Sequence, residues 1–129
     1  MIGYTLVGSN DLEKAKAFYD ALFGTVGIGR QMEMDDKMCA WGCSWEQPMF
    51  GVTKPYDGAA ATFGNGAMIA LVFDERAKVD AVHAKAMELG AKDEGAPGVR
   101  GEEGDQAFYA AYFRDLDGNK LCCFRVGAA

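Results

Sequence analysis

The sequence predicts an α+β fold made of two βαβββ modules. Two observations carry this reading. A strand, a capping residue, an amphipathic helix and a glycine follow one another twice, once in each half. After each helix come short β-prone runs separated by turn residues. The 129 residues suit a single domain. Module one spans about residues 1–60 and module two about 61–129, with the chain taken as one unit.

The first strand is expected in MIGYTLVGS. The helix follows in NDLEKAKAFYDALFG, with Asn10 as its cap and Glu13 reaching back to it. Leu12, Ala15, Phe18, Tyr19 and Leu22 fall on one face, and Gly24 marks the stop. Three strands are expected next, in VGIGRQMEM, KMCAWGCSW and PMFGVTK, with Asp35-Asp36 as a turn.

Module two opens with the strand AMIALVF. Asp74 is the expected cap of ERAKVDAVHAKAMELG, whose buried face is Val79, Val82, Ala86 and Leu89, and Gly90 ends it. A short strand near Ala91–Glu94 precedes QAFYAAYFR and NKLCCFRV. Asp117-Gly118 reads as a two-residue hairpin turn with positive φ at both centres. DGAAATFGNG and EGAPGVRGEEGD read as connections, the second as a candidate lid.

Half of the residues are hydrophobic and a quarter charged, as in an ordinary globular protein. The net charge is -6. A surface of that sign repels phosphate backbones and anionic lipid, so neither nucleic acid nor membrane is an expected partner. No apolar run is long enough to span a bilayer. The N-terminal stretch lacks a basic start followed by an apolar core, so no secretory signal is expected. Four scattered cysteines fit free thiols in a cytoplasmic protein.

Strand–NDLEKAKAFYDALFG, then GNGAMIALVF with AVHAKAMELGA, then GAPGVR with FYAAYFRDLDGNKL, occur in an order and spacing that resembles the vicinal oxygen chelate superfamily. That family includes glyoxalase I, bleomycin-resistance proteins and extradiol dioxygenases, and the chain looks like a divergent bacterial-type member. The resemblance implies a curved mixed sheet with a central trough, and a homodimer. It also implies a divalent metal held by His, Gln or Glu on particular strands. Here those positions carry Tyr4, Met68 and Cys122, and PMFGVTK offers neither His nor Glu. A thioether, a neutral phenol and a lone thiol are poor donors for the ions such sites hold. No metal or other cofactor is therefore expected.

Strand alternation sends Cys122 and Cys123 to opposite faces. The resemblance puts Cys122 in the trough and Cys123 against the helices. With the turn centred on Asp117-Gly118, Phe113 lies opposite Cys122 on the same face. Tyr4, Met68, Phe113 and Cys122 are thus the expected trough lining, and Arg100 and Arg114 candidate anion contacts at its mouth.

Other residues read as structural. Cys39 and Cys43 on one strand would lie about 13 Å apart, too far to share an ion. Trp41 and Trp45 would flank them, packing or forming a dimer contact. His83, the only histidine, sits mid-helix and away from the trough. Glu33 and Glu46 are candidate bases, more simply read as solvated.

Three functions follow. The first is binding of a small apolar or aromatic molecule by a protein that has lost its metal. The second is a lyase or isomerase of the lactoylglutathione-lyase type, or a dioxygenase, with an atypical site. The third is a structural or interaction role with a filled trough. Catalytic residues are not assigned.

Overall fold

The computed structural model describes residues 1–129. Strand β1 (Tyr4–Gly8) leads into helix α1 (Leu12–Gly24), followed by β2 (Gly29–Met34), β3 (Met38–Gly42) and β4 (Met49–Thr53). The second module repeats the order with β5 (Ile69–Val72), α2 (Arg76–Glu88), β6 (Lys92–Arg100), β7 (Phe108–Arg114) and β8 (Lys120–Val126). Each module forms its own four-stranded mixed sheet, β1-β4-β3-β2 and β5-β8-β7-β6. The βαβββ repeat is as expected, but no hydrogen-bonded ladder joins the two sheets into one. No helix is long and apolar enough to cross a membrane.

The first helix packs through the face its spacing marks: Leu12, Ala15, Phe18, Tyr19, Leu22 and Phe23 are buried. Its cap is Asp11, not Asn10; the Asp11 carboxylate accepts from the Lys14 amide at 3.2 Å. Asn10 is engaged elsewhere. Its side chain accepts from the amide of Ala61 and donates to the same residue's carbonyl, tying the β1–α1 connection to the intermodule segment. In α2 the cap position is Glu75, with no side-chain cap bond, while Asp74 pairs with Lys78 at 2.7 Å. Gly90 takes φ +96 after the helix, a conformation glycine adopts without steric cost.

Between Pro55 and Met68 the chain connects the modules without regular structure. The segment expected as a lid is mostly strand: β6 runs through Gly95, Pro97 and Gly98 to Arg100. Its register slips between Gly95 and Gly98. Proline lacks the amide that a ladder needs, and a slipped stretch of an edge strand tolerates that.

The β7–β8 hairpin also differs from expectation. Arg114 pairs with Lys120, and only Gly118 in the intervening loop has positive φ, at +87. The Gly118 amide donates to the Asp115 carbonyl, and the Asp115 amide to the Asn119 carbonyl. This is a three-residue turn ending in a left-handed glycine. It sets Tyr112 opposite Cys122, and Phe113 opposite Leu121.

A core of 17 buried residues draws on both helices and on one face of each sheet. Tyr19, Phe23, Trp41 and Phe50 form its aromatic centre, with ring centroids 4.8 to 6.0 Å apart. Phe113 and Cys123 belong to the same core. Trp41 is buried, and its indole nitrogen donates to Asp20. Only Trp45, 65% exposed and beyond the end of β3, remains available for an external contact.

Candidate functional site

With one face of each sheet packed on the helices, the other face is open. Register assigns its residues. On the first sheet Tyr4 pairs with Met49, Leu6 with Gly51, Gly51 with Ala40, Met32 with Ala40 and Met34 with Met38. Four methionines thus share this face with Tyr4 and Leu6. Such a surface is apolar and adaptable.

On the second sheet the corresponding rows are Gly95–Tyr112–Cys122–Ala70 and Gly98–Ala110–Phe124–Val72. Arg114 and Lys120 stand in the row below, Arg100 and Phe108 in the row above. Cys122 faces this open side and Cys123 the helices, as the sequence implied. Phe113 does not; it lies in the core, and Tyr112 takes the place expected for it.

The other expected residues are spread apart. Tyr4 is 57% exposed on the first sheet, whereas Cys122 is 1% exposed on the second. Met68, just before β5, lines a cavity of about 160 Å³ with Leu6, Phe63 and Lys120, between the two modules. That cavity is below the ~300 Å³ lower range of organic ligand pockets.

Arg114 is occupied: it pairs with Glu94, donates to the Gly118 carbonyl and lies over the Phe63 ring. Arg100 has no carboxylate partner; it donates to the carbonyls of Ala96 and Gly98. Of the other candidates, His83 contacts Asp93 on the helix side at 3.1 Å. Glu33 lies on the helix side of the first sheet, paired with Arg30. Glu46 is exposed in the segment after β3.

Burial pushes the Cys122 thiol up, and Tyr112, Arg100 and Lys120 pull it only partly back. Burial pushes Cys123 up to about 12. A protonated, enclosed thiol is a poor nucleophile and a poor ligand.

The family model described as the Glyoxalase/Bleomycin resistance protein/Dioxygenase superfamily matches residues 1–123. The chain belongs to that superfamily. A glyoxalase/bleomycin resistance protein from Albidiferax ferrireducens T118 is similar over 97% of this chain and 98% of its own, at 37% identity and TM-score 0.85. A glyoxalase/bleomycin resistance protein/dioxygenase family enzyme from Burkholderia phytofirmans PsJN shares the fold at 19% identity and TM-score 0.70, covering 96% and 97%. A lactoylglutathione lyase from Agrobacterium tumefaciens does so at 20% identity and TM-score 0.65, covering 97% and 92%. No curated protein matches the chain.

The donors present are a poor match for the divalent ion that the resemblance implies. No group of three or more His, Cys, Asp or Glu side chains is placed to hold an ion. Tyr4 and Cys122 stand on different sheets, and Cys122 is held protonated by burial. The residues present do not fit the ion.

Proposed function

We propose that this superfamily member binds a small apolar or aromatic molecule without a metal, on the open faces of its sheets. The observation that carries the reading is the make-up of those faces. Methionines, Tyr4 and Leu6 line one, and Tyr112, Cys122, Phe124 and Val72 line the other. Soft, aromatic side chains of this kind suit flat organic molecules.

An open face alone encloses little of a ligand. We therefore include a homodimer in the proposal, with a second copy covering the ligand. The exposed apolar residues Tyr4, Leu6, Met34, Val72 and Val126 support this.

Binding of 1-naphthamide, an uncharged flat probe, tests the proposal by calorimetry in the presence of a chelator. Saturable binding that ignores the chelator supports it. Binding that requires an added divalent ion, or no binding at all, overturns it.

One observation favours a second reading. The cavity between the modules, at about 160 Å³, is too small for most organic ligands. On this reading the protein serves as an interaction partner, and naphthamide finds no site.

A further inference from the structure

The second open face carries a feature that apolar binding alone does not explain. Arg100 leaves the end of β6 and folds back along the strand. Its Nη1 donates to the Gly98 carbonyl at 2.9 Å and its Nη2 to the Ala96 carbonyl at 2.8 Å. The guanidinium lies where side chains of Gly95 and Gly98 would project. A Cβ at Gly95 would stand 3.1 Å from Arg100 Nη2 and 3.0 Å from the Tyr112 ring, and one at Gly98 3.2 Å from Nη1. The two glycines clear a bed, and two carbonyls fix the fork upon it.

From there the guanidinium reaches the Tyr112 ring, with 5.5 Å between its carbon and the ring centroid. Lys120 reaches the same ring, its Nζ 5.7 Å from the centroid. Neither cation has a carboxylate within ion-pair distance. Of the nearby acids, Glu94 pairs with Arg114 and Glu103 with Arg76, while Glu102 and Asp105 share a cavity with Arg100 without pairing with it. In a chain with 19 acidic and 13 basic side chains, two unpaired cations on one aromatic ring stand out.

We infer that the Arg100–Tyr112–Lys120 cluster recognises the carboxylate of a flat organic monoanion whose apolar body rests over Phe124 and Val72. This rests on the binding reading above and adds the ligand's charge. Arginine supplies a planar fork for a carboxylate, and lysine a mobile point charge. The loop beyond Arg100 carries Glu102, Glu103 and Asp105, and the net charge is -6. Both disfavour ligands bearing several negative charges, so a single carboxylate is the match.

The experiment compares 1-naphthoate with 1-naphthamide by titration calorimetry on the full chain. The two probes share their ring and differ in charge. We expect the carboxylate to bind about tenfold more tightly, in line with one charge-assisted contact. Arg100→Gln and Lys120→Gln should each bring the two affinities together. Arg125→Gln, which removes a cation from the helix side of β8, should leave the preference intact. If R100Q fails to fold, K120Q and the loss of preference in high salt carry the test.

Equal binding of both probes to the wild type overturns the carboxylate site and leaves the apolar reading standing. A preference that survives R100Q and K120Q places the anion elsewhere and overturns it too. Absence of binding by either probe overturns both readings. A change of oligomeric state in R100Q with probe preference unaltered assigns the face to a second copy, again against this inference.

Discussion

The Tyr19 hydroxyl donates a 2.6 Å hydrogen bond to Asp115 Oδ2, joining the first helix to the last hairpin. The same carboxylate accepts from the Asp117 and Asn119 amides and from the Asn119 side chain. Asn119 also donates to the Gly8 carbonyl at the end of β1. One buried carboxylate thereby fixes the turn that sets the register of β7 and β8, and ties it to module one. Replacing Tyr19 with Phe leaves Asp115 short of a donor. Urea unfolding should show a loss of about 1–3 kcal/mol, the cost of a weakened buried bond to a charged group.

Asp115 and Asp20 should respond to acid in opposite senses. Burial raises Asp115 above the usual carboxyl range, more than its hydrogen bonds lower it. Its contribution to stability is therefore present below the unfolded value and lost as pH rises through the raised one. Asp20 is lowered, first by its hydrogen bonds from Arg30. Its contribution is present above the unfolded value and lost as pH falls through the lowered one. Between about pH 6 and about pH 3, D115N should lose stability more steeply than wild type and D20N less steeply. Denaturation midpoints across that range check the sign of each.

Thiol reactivity should divide the cysteines by burial. Cys43 is exposed; Cys39, Cys122 and Cys123 are buried, and burial raises all three. Ellman's reagent at neutral pH should show one fast thiol in the native protein, and Cys43→Ser should abolish it. A second fast thiol lost in Cys122→Ser would show Cys122 to be reactive.

Gly51 and Gly24 make a contrasting pair. A Cβ at Gly51 would stand 2.7 Å from Leu6 Cδ2 and 3.1 Å from the Cys39 carbonyl oxygen. G51A should lose about 1–3 kcal/mol through overpacking. At Gly24, the last residue of α1, a Cβ meets nothing within 4 Å. G24A should be neutral or gain up to about 1 kcal/mol from helix propensity. Thermal melts of the two variants distinguish them.

The repeated modules are legible in the chain because each helix announces its buried face through its spacing. Caps are less legible: Asn10, Asp11 and Asp74 all have the chemistry, and competing partners, distant or local, decide which one caps. Ala61 claims Asn10, and Lys78 claims Asp74. The stretch from Gly95 to Arg100 reads as a loop because glycine and proline punctuate it. It is an edge strand instead, where a slipped register accepts both.

The face of Phe113 was lost to a single residue. A two-residue turn at Asp117-Gly118 pairs Phe113 with Cys122, whereas the three-residue turn pairs Tyr112 with it. A one-residue slip moves every side chain to the other face. The side of the sheet that Cys122 takes does not hang on the turn in the same way, because the resemblance implied it independently. Arg100 was legible as a candidate cation; its bed of glycines and its shared ring with Lys120 depend on strand pairing, which spacing alone does not show.

Metal content tests the central claim most directly. The purified protein is incubated in turn with nickel, zinc, manganese and iron, freed of loose ion, and subjected to elemental analysis. The proposed metal-free binding predicts no stoichiometric ion in any case. One tightly held ion per chain, lost in Cys122→Ser or Tyr4→Phe, would contradict the account and point to metal-dependent chemistry.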